Sequence, residues 1–150
     1  MNSAVKMAVL IALALAANLA QAATPRTPTF FARRDYPGYS YCVQVADTNG
    51  DKIPDLITNG FGNVNVLLGN GDGTFRPGPY TRISASNSYS FVPADFNGDG
   101  KIDLEFPNTN GIVVATGNGN GTFQSGVNYP INDGNVLYSV VGDFNGDGVP

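Results

Sequence analysis

The stretch ADFNGDGKIDLEF, Ala94 to Phe106, sets Asp95, Asn97, Asp99 and Asp103 at positions 1, 3, 5 and 9 of one short segment. Carboxylates this close repel, and folding the segment into a loop brings them closer still. Gly98 and Gly100 give the backbone the freedom for a tight bend. What holds the acids together, and what flanks them, decides the fold.

The stretch is one copy of a repeat. DTNGDKIPDL starts at Asp47, DFNGDGKIDL at Asp95 and DFNGDGVP at Asp143, so successive copies lie 48 residues apart. Tyr41 maps onto Tyr89, and GNGDGTF (Gly69 to Phe75) maps onto GNGNGTF (Gly117 to Phe123), in the same register and without a gap. A fixed period of this size marks a repeat architecture, in which one unit cannot bury its apolar face alone.

Each unit reads as short strands joined by tight turns. In the first, YCVQVA (Tyr41–Ala46) precedes the Asp loop, DLIT (Asp55–Thr58) follows it, and NVNVLL (Asn63–Leu68) alternates polar and apolar residues as a half-buried strand does. GNGDG is a hairpin turn, and a fourth strand starts at Thr74-Phe75. The second unit offers SFVPA, DLEF, IVVAT and TFQSG in the same places. No amphipathic helix is evident after residue 22. The predicted class is all-β. Four antiparallel strands per unit is the size of a propeller blade.

The predicted organisation has five parts. Residues 1–22 read as a signal peptide: Lys6, an apolar run of 11 residues from Met7 to Ala17, and the small-x-small site Ala20-Gln21-Ala22. Cleavage there leaves 128 residues, and no later segment is apolar enough to span a membrane. Residues 23–40 are a proline-rich, basic linker, with TFFARRDY as a candidate closing strand. Residues 41–88 and 89–136 are two blades, and 137–150 begin a third. Cys42 is the single cysteine, so no disulfide framework exists, and it reads as a buried strand residue.

Charge narrows the function classes. The net charge is −4, and no basic stripe with interleaved aromatics suggests nucleic acid. Of 12 acidic residues, 11 are Asp and only Glu105 is Glu. Eight of the Asp residues fall in the repeated loop, which a merely solvated acidic face would not explain. There is no histidine, which removes Ser-His-Asp triads, His-based proton transfer and ordinary zinc sites. Asp35, Asp72, Asp133 and Glu105 show no sign of the paired carboxylates glycosidases use. Asp72 aligns with Asn120 and reads as a turn residue.

Hard oxygen donors at alternate positions of a glycine-bearing loop suit Ca²⁺. The candidate ligands are Asp47, Asn49, Asp51, the Ile53 carbonyl and Asp55; then Asp95, Asn97, Asp99, the Lys101 carbonyl and Asp103; then Asp143, Asn145, Asp147 and the Val149 carbonyl. Two alternatives stand beside this. One is an Asx-rich turn capped by its own side chains without metal. The other is an EF-hand, which needs a Glu at position 12, where Thr58 or Phe106 stands, and flanking helices. Mg²⁺ prefers water-rich octahedral sites. The first loop departs from the pattern, with Lys52 and Pro54 in place of Gly100 and Ile102, so strain and weaker binding are expected there.

DFNGDGKIDL and VLLGNGDGTF (Val66–Phe75), in alternation from about Tyr41 onward, resemble the FG-GAP/VCBS repeat family, the blades of integrin α-subunit-like β-propellers. The resemblance implies a seven-bladed propeller with Ca²⁺ loops between the first and second strands of each blade. Two blades and the start of a third make an incomplete propeller, so the natural protein is expected to continue past Pro150; assembly of several short chains into one ring is the alternative. The expected function is an exported, non-enzymatic calcium-binding module for binding or adhesion, with a protein or carbohydrate ligand. The alternatives are the propeller part of a larger secreted lyase or hydrolase with its catalytic residues elsewhere, and a structural spacer. Phe61, Tyr80 and Tyr129 are candidate ligand contacts, although most of them are expected to pack between blades.

Overall fold

A computed structural model of the chain describes residues 35–36, 40–83, 88–131, 136–146 and 148–150. The signal-peptide reading, most of the linker with its closing strand, Asp133 and Asp147 lie outside the described residues. By compactness the chain divides at Gly38, and every described strand belongs to Tyr39–Pro150.

The fold is all-β, with no helix among the described residues. The first sheet runs β1 (Cys42–Ala46), β2 (Asp55–Gly60), β3 (Asn63–Gly69) and β4 (Phe75–Arg82), in that order and antiparallel throughout. The second repeats it with β5 (Val92–Ala94), β6 (Asp103–Asn108), β7 (Gly111–Ala115) and β8 (Val127–Pro130). The two sheets do not merge, and β1 lies against β5. These are propeller-like blades in an unclosed set.

Register follows from pattern. Val64 and Val66 are buried while Asn63 and Asn65, which alternate with them, are only half-buried, which fixes the inward face of β3. Ala46 pairs with Asp55, and Ala94 with Asp103, so each Asp loop is the connection between the first two strands of its sheet. Ile57, Val64 and Val66 of the first sheet join Leu104, Phe106, Val113 and Ala115 of the second in one buried cluster, completed by Ile83, Phe91 and Phe123. Neither sheet could close that core alone. Burying these side chains supplies roughly 1.5–3 kcal/mol for each large aliphatic or aromatic one.

One predicted strand is displaced. TFQSG, Thr122 to Gly126, forms no regular strand: it makes a bridge from Phe123 to Gly117 and a hydrogen bond from the Gln124 N–H to the Thr116 carbonyl, and β8 starts at Val127. At Gly126 a Cβ would stand 2.3 Å from Val113 Cγ1, and at the equivalent Gly78 it would stand 2.7 Å from the Val66 carbonyl oxygen, so in both sheets the fourth strand comes close to the third at this glycine. In the first sheet the same irregularity is a bulge between Asn65 and Leu67, inside a continuous β4.

Candidate metal centre

In the first loop the backbone itself answers the crowded acids. Asp47 Oδ1 accepts the Asn49 and Gly50 N–H groups (3.3 and 2.7 Å), and its Oδ2 accepts the Lys52 N–H (2.7 Å). Asn49 Oδ1 accepts the Asp51 N–H (2.9 Å), and Asp51 Oδ1 accepts the Ile53 N–H (2.8 Å). Each side chain at positions 1, 3 and 5 therefore folds over its own loop and meets an amide two residues on. The backbone can offer those amides because positions 4 and 6 take the left-handed conformation, with φ of 78° at Gly50 and 66° at Lys52. Lys52 thus carries a side chain where glycine is favoured, which bears out the expected strain in this loop.

The second loop repeats the arrangement. Asp95 accepts the Asp99 and Gly100 N–H groups (3.1 and 2.7 Å), Asn97 accepts the Asp99 N–H (2.9 Å), and Asp99 accepts the Lys101 N–H (3.0 Å). Here position 6 is Gly100, at φ 81°. Lys101 also reaches back with its ammonium, 3.1 Å from Asp99 Oδ2. That hydrogen bond, with the Lys101 amide beside it, holds the Asp99 carboxyl below its ordinary value of 3.8. In the third loop Asp143 accepts the Gly146 and Gly148 N–H groups (2.6 and 2.8 Å).

Position 9 behaves differently from positions 1, 3 and 5. Asp55 and Asp103 are fully buried. Asp55 accepts the Thr48 N–H (3.0 Å), the Thr48 hydroxyl (2.5 Å) and the Gly69 N–H (2.9 Å). Asp103 accepts the Phe96 N–H (3.1 Å) and the Gly117 N–H (2.8 Å). These carboxylates pin the start of each Asp loop to the glycine-rich turn 14 residues further on. The turn glycine is required: a Cβ on Gly69 would stand 2.3 Å from the Pro54 carbonyl oxygen, and one on Gly117 would stand 2.1 Å from that of Ile102. The alternation of the two motifs therefore has a mechanical reason, which the fixed offset between Asp and GNG carries in the sequence.

The donor chemistry of positions 1, 3 and 5 fits a hard cation, with two carboxylates and an amide oxygen drawn over one loop. Among the described residues no three carboxylate, thiol or imidazole groups lie so that they could hold one metal ion. Amide and backbone oxygens would have to complete any shell. Asp72 and Asn120 each accept the N–H and hydroxyl of the threonine two residues on, at 2.6 to 3.0 Å, which makes them turn residues as expected. Cys42 is a free, half-buried thiol on β1.

Against the expectation for most of them, none of the three candidate contact aromatics is buried between the two described sheets. Phe61, Tyr80 and Tyr129 are all exposed. Phe61 sits in the two-residue β2–β3 turn at φ 53°, with its ring 5.5 Å from that of Tyr41, and Tyr41 lies 5.1 Å from Tyr89. The sequence singles out Glu105 only as the one Glu, with no paired carboxylate. This lone Glu is 3% exposed on β6, and burial pushes its carboxyl above the ordinary value of 4.5 against the pull of the Ser139 hydroxyl. The signal was its place in the repeat, where Ile57 stands one unit earlier.

Residues 47–105 match the family model described as an FG-GAP-like repeat. No curated protein and no solved structure matches the chain.

Proposed function

Taking residues 47–105 as an FG-GAP-like repeat of the β-propeller type, we propose that the chain is an exported, non-enzymatic binding module whose Asp loops hold Ca²⁺. The observation that carries the reading is the recurrence of one donor set. Asp47, Asn49 and Asp51, and then Asp95, Asn97 and Asp99, each fold an oxygen over their own loop, between the first two strands of each sheet. A divalent cation there neutralises charge that amides otherwise compensate only in part. The Ile53 and Lys101 carbonyls would add neutral oxygens. Asp55 and Asp103 would brace the loop from behind through the amides they hold. The ion's part is structural: it fixes the connection between the first two strands of each sheet and so stiffens the blade.

Lack of histidine throughout the sequence supports a non-enzymatic role. The apolar run at residues 7–17, followed by the small-x-small site, supports export. Exposed Phe61, Tyr80 and Tyr129 support contact with an extracellular protein or carbohydrate ligand. Among the described residues no helix is long and apolar enough to cross a membrane.

Isothermal titration calorimetry of the purified chain with Ca²⁺ and with Mg²⁺ tests the metal reading. Saturable Ca²⁺ heat is expected, much weaker for Mg²⁺ and reduced by Asp47→Ala and Asp95→Ala together. No saturable heat with a folded chain would leave the loops as self-capped Asx turns.

A further inference from the structure

The described chain contains two blade interfaces that use equivalent positions with different chemistry. In the first, Ile57 on β2 and Phe91, at the entry to β5, belong to the same buried cluster. One repeat of 48 residues later the equivalents are Glu105 on β6 and Ser139. Glu105 Oε2 accepts the Ser139 hydroxyl, and Glu105 Oε1 is buried without a partner. Residues 136–142 stand where β1 and β5 stand in their own repeats, but pair with no strand among the described residues. They are held to the second sheet by the Val136 N–H on the Asn108 carbonyl (3.2 Å) and by the Ser90 hydroxyl on the Leu137 carbonyl (3.4 Å). Phe96, Ile112, Val140 and Phe144 wall an open groove of about 250 Å³ beside the Glu105–Ser139 contact.

We propose that Glu105 and Ser139 form a polar key that seats residues 136–142, the segment in the place of a third blade's first strand, on the second sheet and distinguishes that seat from the first. A buried carboxyl accepts a strand that brings a hydroxyl to it. A strand bringing a phenyl ring, as Phe91 does to the first sheet, would leave both carboxyl oxygens unpaired against hydrocarbon. Rejection of the wrong partner by an unpaired polar group is how interfaces gain specificity beyond what apolar contact provides. At the first seat Ile57 and Phe91 share a buried apolar cluster, with the Phe91 ring stacked on Phe106. The order of blades is thereby written in the residues at these two equivalent positions.

Amide hydrogen exchange of the full chain, read at Val136 and across residues 136–142, tests the key. Ser139→Ala is expected to speed exchange there about tenfold while leaving the β2 and β6 amides unchanged. Glu105→Ile is expected to do the same, and Glu105→Ile combined with Ser139→Phe, which copies the first interface, should return exchange to within about twofold of the original. Losses that merely add in the double variant would overturn the proposal, as would unchanged exchange in Ser139→Ala. If Glu105→Ile also loosens Leu104 to Phe106, the test rests on Ser139→Ala, which lies outside every strand. Protection at 136–142 that falls on dilution would assign the contact to a second copy and overturn the key as an intrachain device.

Discussion

At the scale of single residues, the aspartates of the repeated loop divide into two kinds. Asp47, Asp51, Asp95 and Asp99 lie over loop amides near the surface, whereas Asp55 and Asp103 are buried and hold main-chain groups. Asp55→Ala would strand the Thr48 and Gly69 N–H groups without an acceptor. The expected loss is about 3 kcal/mol or more, measured by urea unfolding, and it should persist in chelator because the bonds it removes are internal. Lys52→Gly acts in the opposite direction. The left-handed conformation costs a side chain about 1–2 kcal/mol and glycine's extra freedom in the unfolded chain offsets roughly half, so the variant should be more stable by about 0.5–1 kcal/mol. A lower melting temperature for Lys52→Gly would contradict this account of the loop. The strain at Lys52 was legible in the sequence because the second copy shows glycine in its place. The different task of position 9 was not. Its partners, Gly69 and Gly117, lie 14 residues away, and that contact exists only once the strands have paired.

At the scale of the element, strand order was legible from the repeat alone, since each Asp loop and each GNG turn punctuates a short apolar run. The start of β8 was not legible. Phe75 and Phe123 are equivalent in sequence, yet β4 begins at Phe75 whereas the ladder after Phe123 breaks until Val127; the glycine close to the neighbouring strand, Gly78 or Gly126, stands in both repeats, so the residue pattern does not carry the difference. Glu105 on β6 is the other departure from the repeat, and it predicts a pH dependence. Its folded carboxyl titrates above the ordinary 4.5 because burial opposes the charge. Below that value both folded and unfolded chains are protonated, and the stabilisation is complete. As pH rises from about 4.5 through the raised folded value, the unfolded chain loses its proton first and stability falls. Glu105→Gln cannot ionise, so thermal melts from pH 4 to pH 8 should show the variant gaining on the original chain as pH rises. A constant difference between the two across that range would remove the buried carboxyl as the cause.

At the scale of the whole molecule, the unit of stability is the pair of sheets with the loops that join their strands. The buried cluster draws on both sheets, while Gly121 donates its N–H to the Thr48 carbonyl (2.9 Å), so the turn of the second sheet rests on the Asp loop of the first. An ion in the first loop would consequently stiffen a segment that the second sheet leans on. If Ca²⁺ binds only the folded chain, each site adds about 2.7 kcal/mol when the ion is at a hundred times its Kd, and less at weaker sites. The melting temperature should therefore rise in excess calcium and fall back in excess chelator. The first two loops should also contribute unequally. In the first, the left-handed Lys52 is strained before any ion arrives. In the second, the Lys101 ammonium already sits on Asp99 and must yield its place. Lys101→Met removes that competitor while keeping the chain's bulk, so it should tighten calcium at the second loop, whereas the equivalent change at Ile53 has no charge to remove. Melting curves that coincide in calcium and in chelator, for a chain whose Asp55→Ala variant is measurably less stable, would show that amides alone hold the acids together.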